Sequence, residues 1–495
     1  MRCALTSAAI VGVRAIPVEV EVVVSAGLPG MTIVGMPDTA VRESQERVRS
    51  AVRACGFSMP QEKVVVNLAP SSIRKAGSGF DLPIAAALLG ATGQVDPAQL
   101  ARHLWVGELS LDGRVRPVHG TLPYAVCARE CGLRLAVASD APDGAPLEGV
   151  GEFGIGSLQD LRGFSLEPLR FREDAALADA LDFADIRGQA PAKRAMQIAA
   201  AGGHGILLMG PPGSGKTMLA RALPSILPPL DEAERIQAAM VHSVVGEPVA
   251  SILAGQRPFR RLHHSTSIVG MVGGGTPVRP GEISLAHTGV LFLDELPEFG
   301  SSALQSLRQP LEQGKILITR ADGSVELPSR FMLVAAANPC PCGYYGDPEK
   351  PCTCAPARIE KYQGRIGGPL LDRISMHVDV WRCDPSEALE AGRASSLSSA
   401  VLKEGVMRAR SFADYRRQVK GDHPHADMAG LIVQCRMDEE VKGLLEQTAR
   451  LQGFSGRGIA RVLSVARTVA DMDESECVLE GHLLEAIGFR IRKGA

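Results

Sequence analysis

The sequence predicts an α/β protein in three regions: an α+β segment over residues 1–170, a parallel-sheet core over 180–385 and helices over 395–495. Three observations carry this. GILLMGPPGSGKTMLARAL (205–223) joins an apolar strand to a glycine loop and then to a helix. GVLFLDELPEF (289–299) and FMLVAAAN (331–338) add two apolar runs that end in polar residues, as buried parallel strands do. Beyond about residue 397 the apolar positions recur at helical spacing.

The first 25 residues, MRCALTSAAIVGVRAIPVEVEVVVS, read as a strand, because Arg14 breaks the apolar run a leader needs and a period-2 alternation continues to Ser25. VEVEVVVS, KVVVNLAP, WVGELS and LRLAVAS read as strands, and residues 38–56 and 81–91 as helices. The polar run FREDAALADALDFADIRGQ (171–189) leads into the core, and four helical runs begin near residues 400, 437, 458 and 480. No run reaches the ~18 apolar residues of a spanning helix, so a cytoplasmic protein without a membrane partner is expected. In that compartment Cys3, Cys55, Cys127, Cys131, Cys383, Cys435 and Cys477 are expected as reduced, packed thiols. A net charge of −2 excludes a globally basic surface, and 4% aromatics argue against base stacking as the main binding device.

The glycine loop carries the chemistry. Gly210, Pro211, Pro212, Gly213, Ser214 and Gly215 let backbone N–H groups wrap phosphates at a helix N-terminus. Lys216 reaches the β- and γ-phosphates and the Thr217 hydroxyl ligates Mg²⁺, so ATP and Mg²⁺ are the expected cofactors. Asp294 closes the second apolar run and suits the Mg²⁺ shell, and Glu295 suits orienting the attacking water. Asn338 ends the third run, in reach of the water or the γ-phosphate.

DFADIRGQ, GPPGSGKT, LFLDE, AAANP and GPLLDRIS together resemble an AAA+ module. The insert RPFRRLHHSTSIVGMVGGGTPVRPGEISLAHTGVLFLDELPEF resembles the magnesium-chelatase branch, and the whole chain resembles the ComM/YifB family of magnesium-chelatase-like proteins. That resemblance implies a homo-hexameric, ATP-driven DNA helicase that promotes branch migration during natural transformation. It makes Arg373 an arginine finger for the next subunit's ATP and Arg457 the sensor arginine, with Arg461 as its competitor. An arginine donated in trans implies a ring, because each site is completed only by its neighbour.

NLAPSSIRKAGSGFDLPIAAALL and GELSLDGRVRPVHGTLPYA resemble the Lon protease domain, which works through a serine–lysine dyad. The aligned positions hold Gly79 and Leu122, and Ser78 is one residue out of place, so a catalytically inactive Lon-like domain is expected.

Two segments suit DNA phosphates in a pore. Arg257, Arg260, Arg261, His263, His264 and Arg279 flank the glycine-rich VGMVGGGTP, and GKILITRADGSVELPSRF reads as a hairpin turning at Asp322-Gly323 beside Arg320. A chelatase-like remodeller of a protein partner is the alternative from a different class. A transcription-activator ATPase fits less well, because HHSTSIVGMVGGG stands where such motors carry a GAFTGA-type loop.

Directly after Asn338, CPCGYYGDPEKPCTC places Cys340, Cys342, Cys352 and Cys354 in one Pro/Gly loop. Four thiolates suit a structural Zn²⁺, although one-residue spacing is tighter than the usual two to four. Reduced structural thiols and a redox role stay open. His423 and His425 read as a solvated loop.

Overall fold

The N-terminal alternation folds as a hairpin rather than one strand. Arg2–Val11 and Arg14–Ser25 pair antiparallel with Val11 opposite Arg14, and Gly12 at φ +67° makes the turn that Arg14 marks in the sequence. The computed structural model describes residues 1–141, 146–171, 181–320, 323–383, 397–422 and 427–490. His423, His425, Asp322 and residues 172–180 of the polar run lie outside them.

The hairpin centres an eight-stranded mixed sheet. Its order runs 167–168, 152–155, 134–138, 103–105, 2–11, 14–25, 63–69, 30–34. Asp38 caps the helix Thr39–Ala54 by accepting from the Val41 N–H. The helix Asp81–Ala91 is buried along its whole length, which its uniformly apolar sequence requires.

The second region is a five-stranded sheet ordered Phe259–Leu262, Val290–Leu293, Met332–Ala337, Ile206–Met209, Met376–Asp379, with every pairing parallel. Parallel strands covered on both faces read as continuous apolar runs, which is why VLFL and MLVAAA lack alternation. On one face Ile206, Leu208, Val334 and Ala336 join a core with Ala195, Val406, Val462 and Val469, which binds the C-terminal helices to the sheet. On the other face Leu207, Leu291, Leu293 and Leu333 meet Met271, Ile283, Ile316 and Leu327. Val13, from the N-terminal hairpin turn, is buried in this second core, so the first region is wedged against the second.

The helices Ser399–Lys420, Met428–Cys435, Glu439–Gln452, Gly456–Met472 and Glu480–Gly488 follow; the first four are capped by Ser398, Asp427, Asp438 and Ser455. A buried ion network ties them together. Arg416 Nε lies 2.7 Å from Asp471 and also pairs with Asp422, which Arg436 meets at 2.8 Å. Among the described residues no helix is long and apolar enough to cross a membrane. Cys131 and Cys477 are exposed, contrary to the packing expected of them, while Cys3, Cys55, Cys127 and Cys435 are buried.

Candidate nucleotide-binding site

The three polar strand ends converge because Val290–Leu293, Met332–Ala337 and Ile206–Met209 are adjacent in the sheet and point the same way. At the end of Ile206–Met209 the chain enters the glycine loop. A Cβ on Gly210 would fall 1.9 Å from the Val380 carbonyl oxygen, so only glycine fits beneath the neighbouring strand. Gly213 and Gly215 take φ +77° and +90°, and the helix Lys216–Ala222 follows directly.

Lys216 folds back over the hollow of this loop. Its Nζ donates to the Gly210 and Pro211 carbonyls at 2.8 and 2.9 Å, and stands 3.3 Å from Asn338 Oδ1 on the adjacent strand. Burial lowers its pKa to about 8, with Asp294 and Glu295 pulling the other way. The donor set fits a nucleotide triphosphate with Mg²⁺. A loop too tight for any Cβ at Gly210 holds a charged ammonium against neutral oxygens, and Thr217 Oγ1 faces Asp294 Oδ2 at 3.4 Å.

Around the carboxylates lie two side chains expected elsewhere. Arg261 Nη2 is 2.8 Å from Asp294 Oδ2, and His264 Nδ1 is 3.7 Å from Glu295 Oε2. Glu295 takes φ +55°, a conformation a side chain of this size adopts only under constraint from its surroundings. Gln189, the last residue of DFADIRGQ, donates from Nε2 to the Ser214 carbonyl at 3.3 Å and to the Trp381 carbonyl.

The four cysteines come together. Their sulfurs all lie within 4.8 Å of one another, with Cys340–Cys342, Cys342–Cys352 and Cys340–Cys352 at 3.3, 3.5 and 3.6 Å. A tetrahedron of Zn–S bonds of about 2.3 Å has edges of about 3.8 Å, close to this spacing. All four are free thiols. For Cys342, burial opposes ionisation, yet the Tyr344 and Thr353 backbones and the Cys340 and Cys352 thiols bring its pKa down to about 6.

Comparison with known proteins follows this geometry. Residues 182–388 match the family model of magnesium chelatase, subunit ChlI; residues 20–141 match that of subunit ChlI of Mg-chelatase, and 396–490 that of the ChlI C-terminal region. The chain is 42% identical over 489 residues to the uncharacterized protein YifB of Escherichia coli, covering 97% of this chain and 96% of that protein. It is 39% identical over 495 residues to the competence protein ComM of Haemophilus influenzae, covering 98% and 96%. The chain belongs to the ComM/YifB family of magnesium-chelatase-like proteins. A more distant likeness, 28% over 254 residues, links it to the magnesium-chelatase 67 kDa subunit of Heliobacterium mobile, across 45% of this chain and 35% of that one. The parallel sheet with its phosphate loop fits the P-loop AAA+ fold, and the family implies an ATPase with ATP and Mg²⁺.

In this ComM/YifB-family chain the arginines sort into three groups. Arg373 donates to Glu312, and Arg457, in the first turn of Gly456–Met472, pairs with the same carboxylate at 3.4 Å. Neither hydrogen-bonds to or ion-pairs with the phosphate loop among the described residues. Arg461 is half-buried near both, and their charges lower its pKa further after burial has done so.

Arg260 and Arg261 are not on a loop. They lie in the edge strand Phe259–Leu262, where Phe259 packs near Phe292 with ring centroids 6.1 Å apart and the backbone pairs with Val290–Leu293. Arg260 is held by Glu282 at 2.6 Å and Glu247 at 3.1 Å, and Arg257 by Glu234 at 2.9 Å, so both guanidiniums are already paired with carboxylates. Arg279 and Arg320 remain with the glycine-rich segment. Arg320 ends the first strand of the hairpin Lys315–Arg320/Gly323–Pro328 and donates to Thr276 Oγ1 at 3.0 Å, and Arg279 is exposed on a short ribbon with Gly273–Gly274.

Sequence reading missed Gln189 and Glu312, and it assigned Arg261 and His264 to a DNA-gripping segment, whereas they stand beside Asp294 and Glu295. Their partners lie far along the chain or on other elements, and only DFADIRGQ gave a local signal, for Gln189.

Proposed function

We propose that this protein is an ATP-driven, homo-hexameric DNA translocase that moves branch points in recombining DNA, as in natural transformation. The observation that carries the reading is the joining of two candidate DNA-gripping segments. Arg320 on the hairpin bonds to Thr276 in the glycine-rich segment that also bears Arg279, and the same hairpin follows Asp294 and Glu295 and precedes Asn338 in the chain. In this reading a change at the nucleotide is carried to both arginine-bearing segments together, because the Arg320–Thr276 contact joins them. Similarity to the competence protein ComM of Haemophilus influenzae supports this reading.

Gly210, Pro211, Pro212, Gly213, Ser214 and Gly215 hold the phosphates, with Lys216 on the β- and γ-groups. Thr217 and Asp294 hold Mg²⁺, which neutralises phosphate charge when bound. Glu295 orients the water and Asn338 senses the γ-phosphate. Arg373 and Arg457, gathered on Glu312 away from the loop of their own chain, serve the neighbouring protomer's site. The four cysteines hold a structural Zn²⁺.

The three-part division at 1–170, 180–385 and 395–495 assigns a Lon-like unit, the AAA+ core and a helical lid. The Lon-like unit lacks protease chemistry in this reading. A Cβ on Gly79 would sit 3.3 Å from Val106, and Leu122 is buried in the same apolar cluster as Val106, so no ionisable pair is formed.

A labelled four-way junction tests the proposal. ATP-dependent conversion to two forks by the wild-type protein, lost in Arg320→Ala with basal ATPase retained, is expected. ATP turnover that moves no branch point contradicts it and favours the remodelling of a protein partner.

A further inference from the structure

The cysteine loop touches the nucleotide site directly. A Cβ on Gly343 would fall 2.5 Å from Pro212 Cδ and 2.8 Å from Pro212 Cγ, so the backbone between the first two and last two cysteines rests on the ring of a phosphate-loop proline. Gly343 is buried, at φ +85°, and only glycine combines that conformation with that approach.

The far side of the loop is tied to the chain that leaves the sheet. Arg382 pairs with Asp347 at 3.2 Å and with Glu349 at 3.4 Å, and its guanidinium lies 5.4 Å from the Tyr344 ring centroid. Gln189 closes the circuit by bonding both the Ser214 and the Trp381 carbonyls. The phosphate loop is thus held between the cysteine loop on one side and Gln189 on the other.

The cysteine loop has little of its own to keep it in shape. No helix or strand lies between Ala337 and Pro356, and from Pro341 to Cys354 only Gly343 is fully buried. A segment of this kind needs a cross-link to hold one conformation, and four convergent sulfurs supply the ligands for one.

We propose that a divalent zinc ion on Cys340, Cys342, Cys352 and Cys354 braces the phosphate loop through the Gly343–Pro212 contact, so that metal occupancy sets nucleotide affinity. This rests on the zinc reading above. Gly343 is a positioning residue, since it acts through Pro212. The metal has no open coordination position for catalysis, because four thiolates fill a tetrahedral shell.

The test uses the full-length protein, with zinc measured by inductively coupled plasma mass spectrometry and affinity by titration with a fluorescent ATP analogue. About one zinc per chain is expected in the wild type. Cys340→Ser/Cys352→Ser should lose the zinc, and its nucleotide affinity should fall roughly tenfold or more, because the phosphate loop loses its preorganisation and must be ordered on binding. Gly343→Ala should keep the zinc and show a loss of the same order.

Gly346→Ala is the control. That glycine is also left-handed, at φ +78°, but its Cβ would meet nothing nearer than Trp381 at 3.7 Å, so zinc and affinity should both be retained. If the double cysteine variant does not fold, the two glycine variants decide. Wild-type protein free of zinc after purification with added Zn²⁺ overturns the zinc reading. One zinc per chain with unchanged affinity in Gly343→Ala leaves that reading standing and overturns the brace.

Discussion

The Lys216 ammonium stands 3.3 Å from Asn338 Oδ1, joining the phosphate loop to the end of the adjacent strand. In the proposed function Lys216 binds the nucleotide and Asn338 senses its γ-phosphate, so this one contact joins the two roles.

Burial, opposed by Asp294 and Glu295, lowers Lys216 to about 8. Bound phosphates favour the charged ammonium, so above pH 8 ATP binding takes up a proton and affinity falls with rising pH, by up to about tenfold per unit. Calorimetry near pH 8.5 in two buffers of different ionisation enthalpy should report this uptake. Lys216→Arg should abolish it, because a guanidinium stays charged; equal heats for the wild type would refute the assignment.

Glu295→Gln removes the carboxylate but keeps the side chain's size. Turnover should drop by about 10²–10⁴-fold, the usual worth of a positioned base, while ATP still binds. Retained hydrolysis in single-turnover experiments would move the role to another group.

Arg373→Ala and Lys216→Ala should each be inactive alone, the first by about 10³-fold or more if the arginine acts as a finger. Mixed in one ring they should recover activity, because an Arg373→Ala subunit keeps its phosphate loop and a Lys216→Ala neighbour supplies the arginine. Failure of mixed, assembled rings to recover any turnover would place Arg373 in its own subunit's site.

The motor core was legible because its chemistry is local. Strand, glycine loop and helix are contiguous in 205–223, and VLFL followed by Asp294 and Glu295 states burial and charge within six residues. The cysteine cluster was legible for the same reason, since fifteen residues hold all four sulfurs. Arg260 and Arg261 read as part of a loop in the sequence, because cations beside glycines suggest one; pairing with Val290–Leu293 makes them a strand, with Arg260 on Glu247 and Glu282 and Arg261 on Asp294. The meeting of Arg373 and Arg457 on Glu312 joins positions 61 and 145 residues away from that carboxylate, counted as 373 − 312 and 457 − 312. No local pattern encodes such a contact.

Arg416 anchors the C-terminal helices. Its side chain is 5% exposed between Asp471 and Asp422, at 8% and 6%. Arg416→Ala leaves two buried carboxylates short of a partner and should cost about 3–5 kcal/mol, read as a lower urea midpoint. A change within about 0.5 kcal/mol, as for an ordinary surface site, would mean that Arg436 on Asp422 and Arg467 on Asp471 satisfy them.

The most direct measurement is steady-state ATP hydrolysis by the purified protein, alone and with single-stranded, duplex, forked and four-way-junction DNA, at two salt concentrations. The account predicts stimulation that is greatest for forks or junctions, weakens with salt as phosphate contacts are screened, and disappears in Arg320→Ala while basal turnover persists. Basal turnover indifferent to every DNA would contradict it.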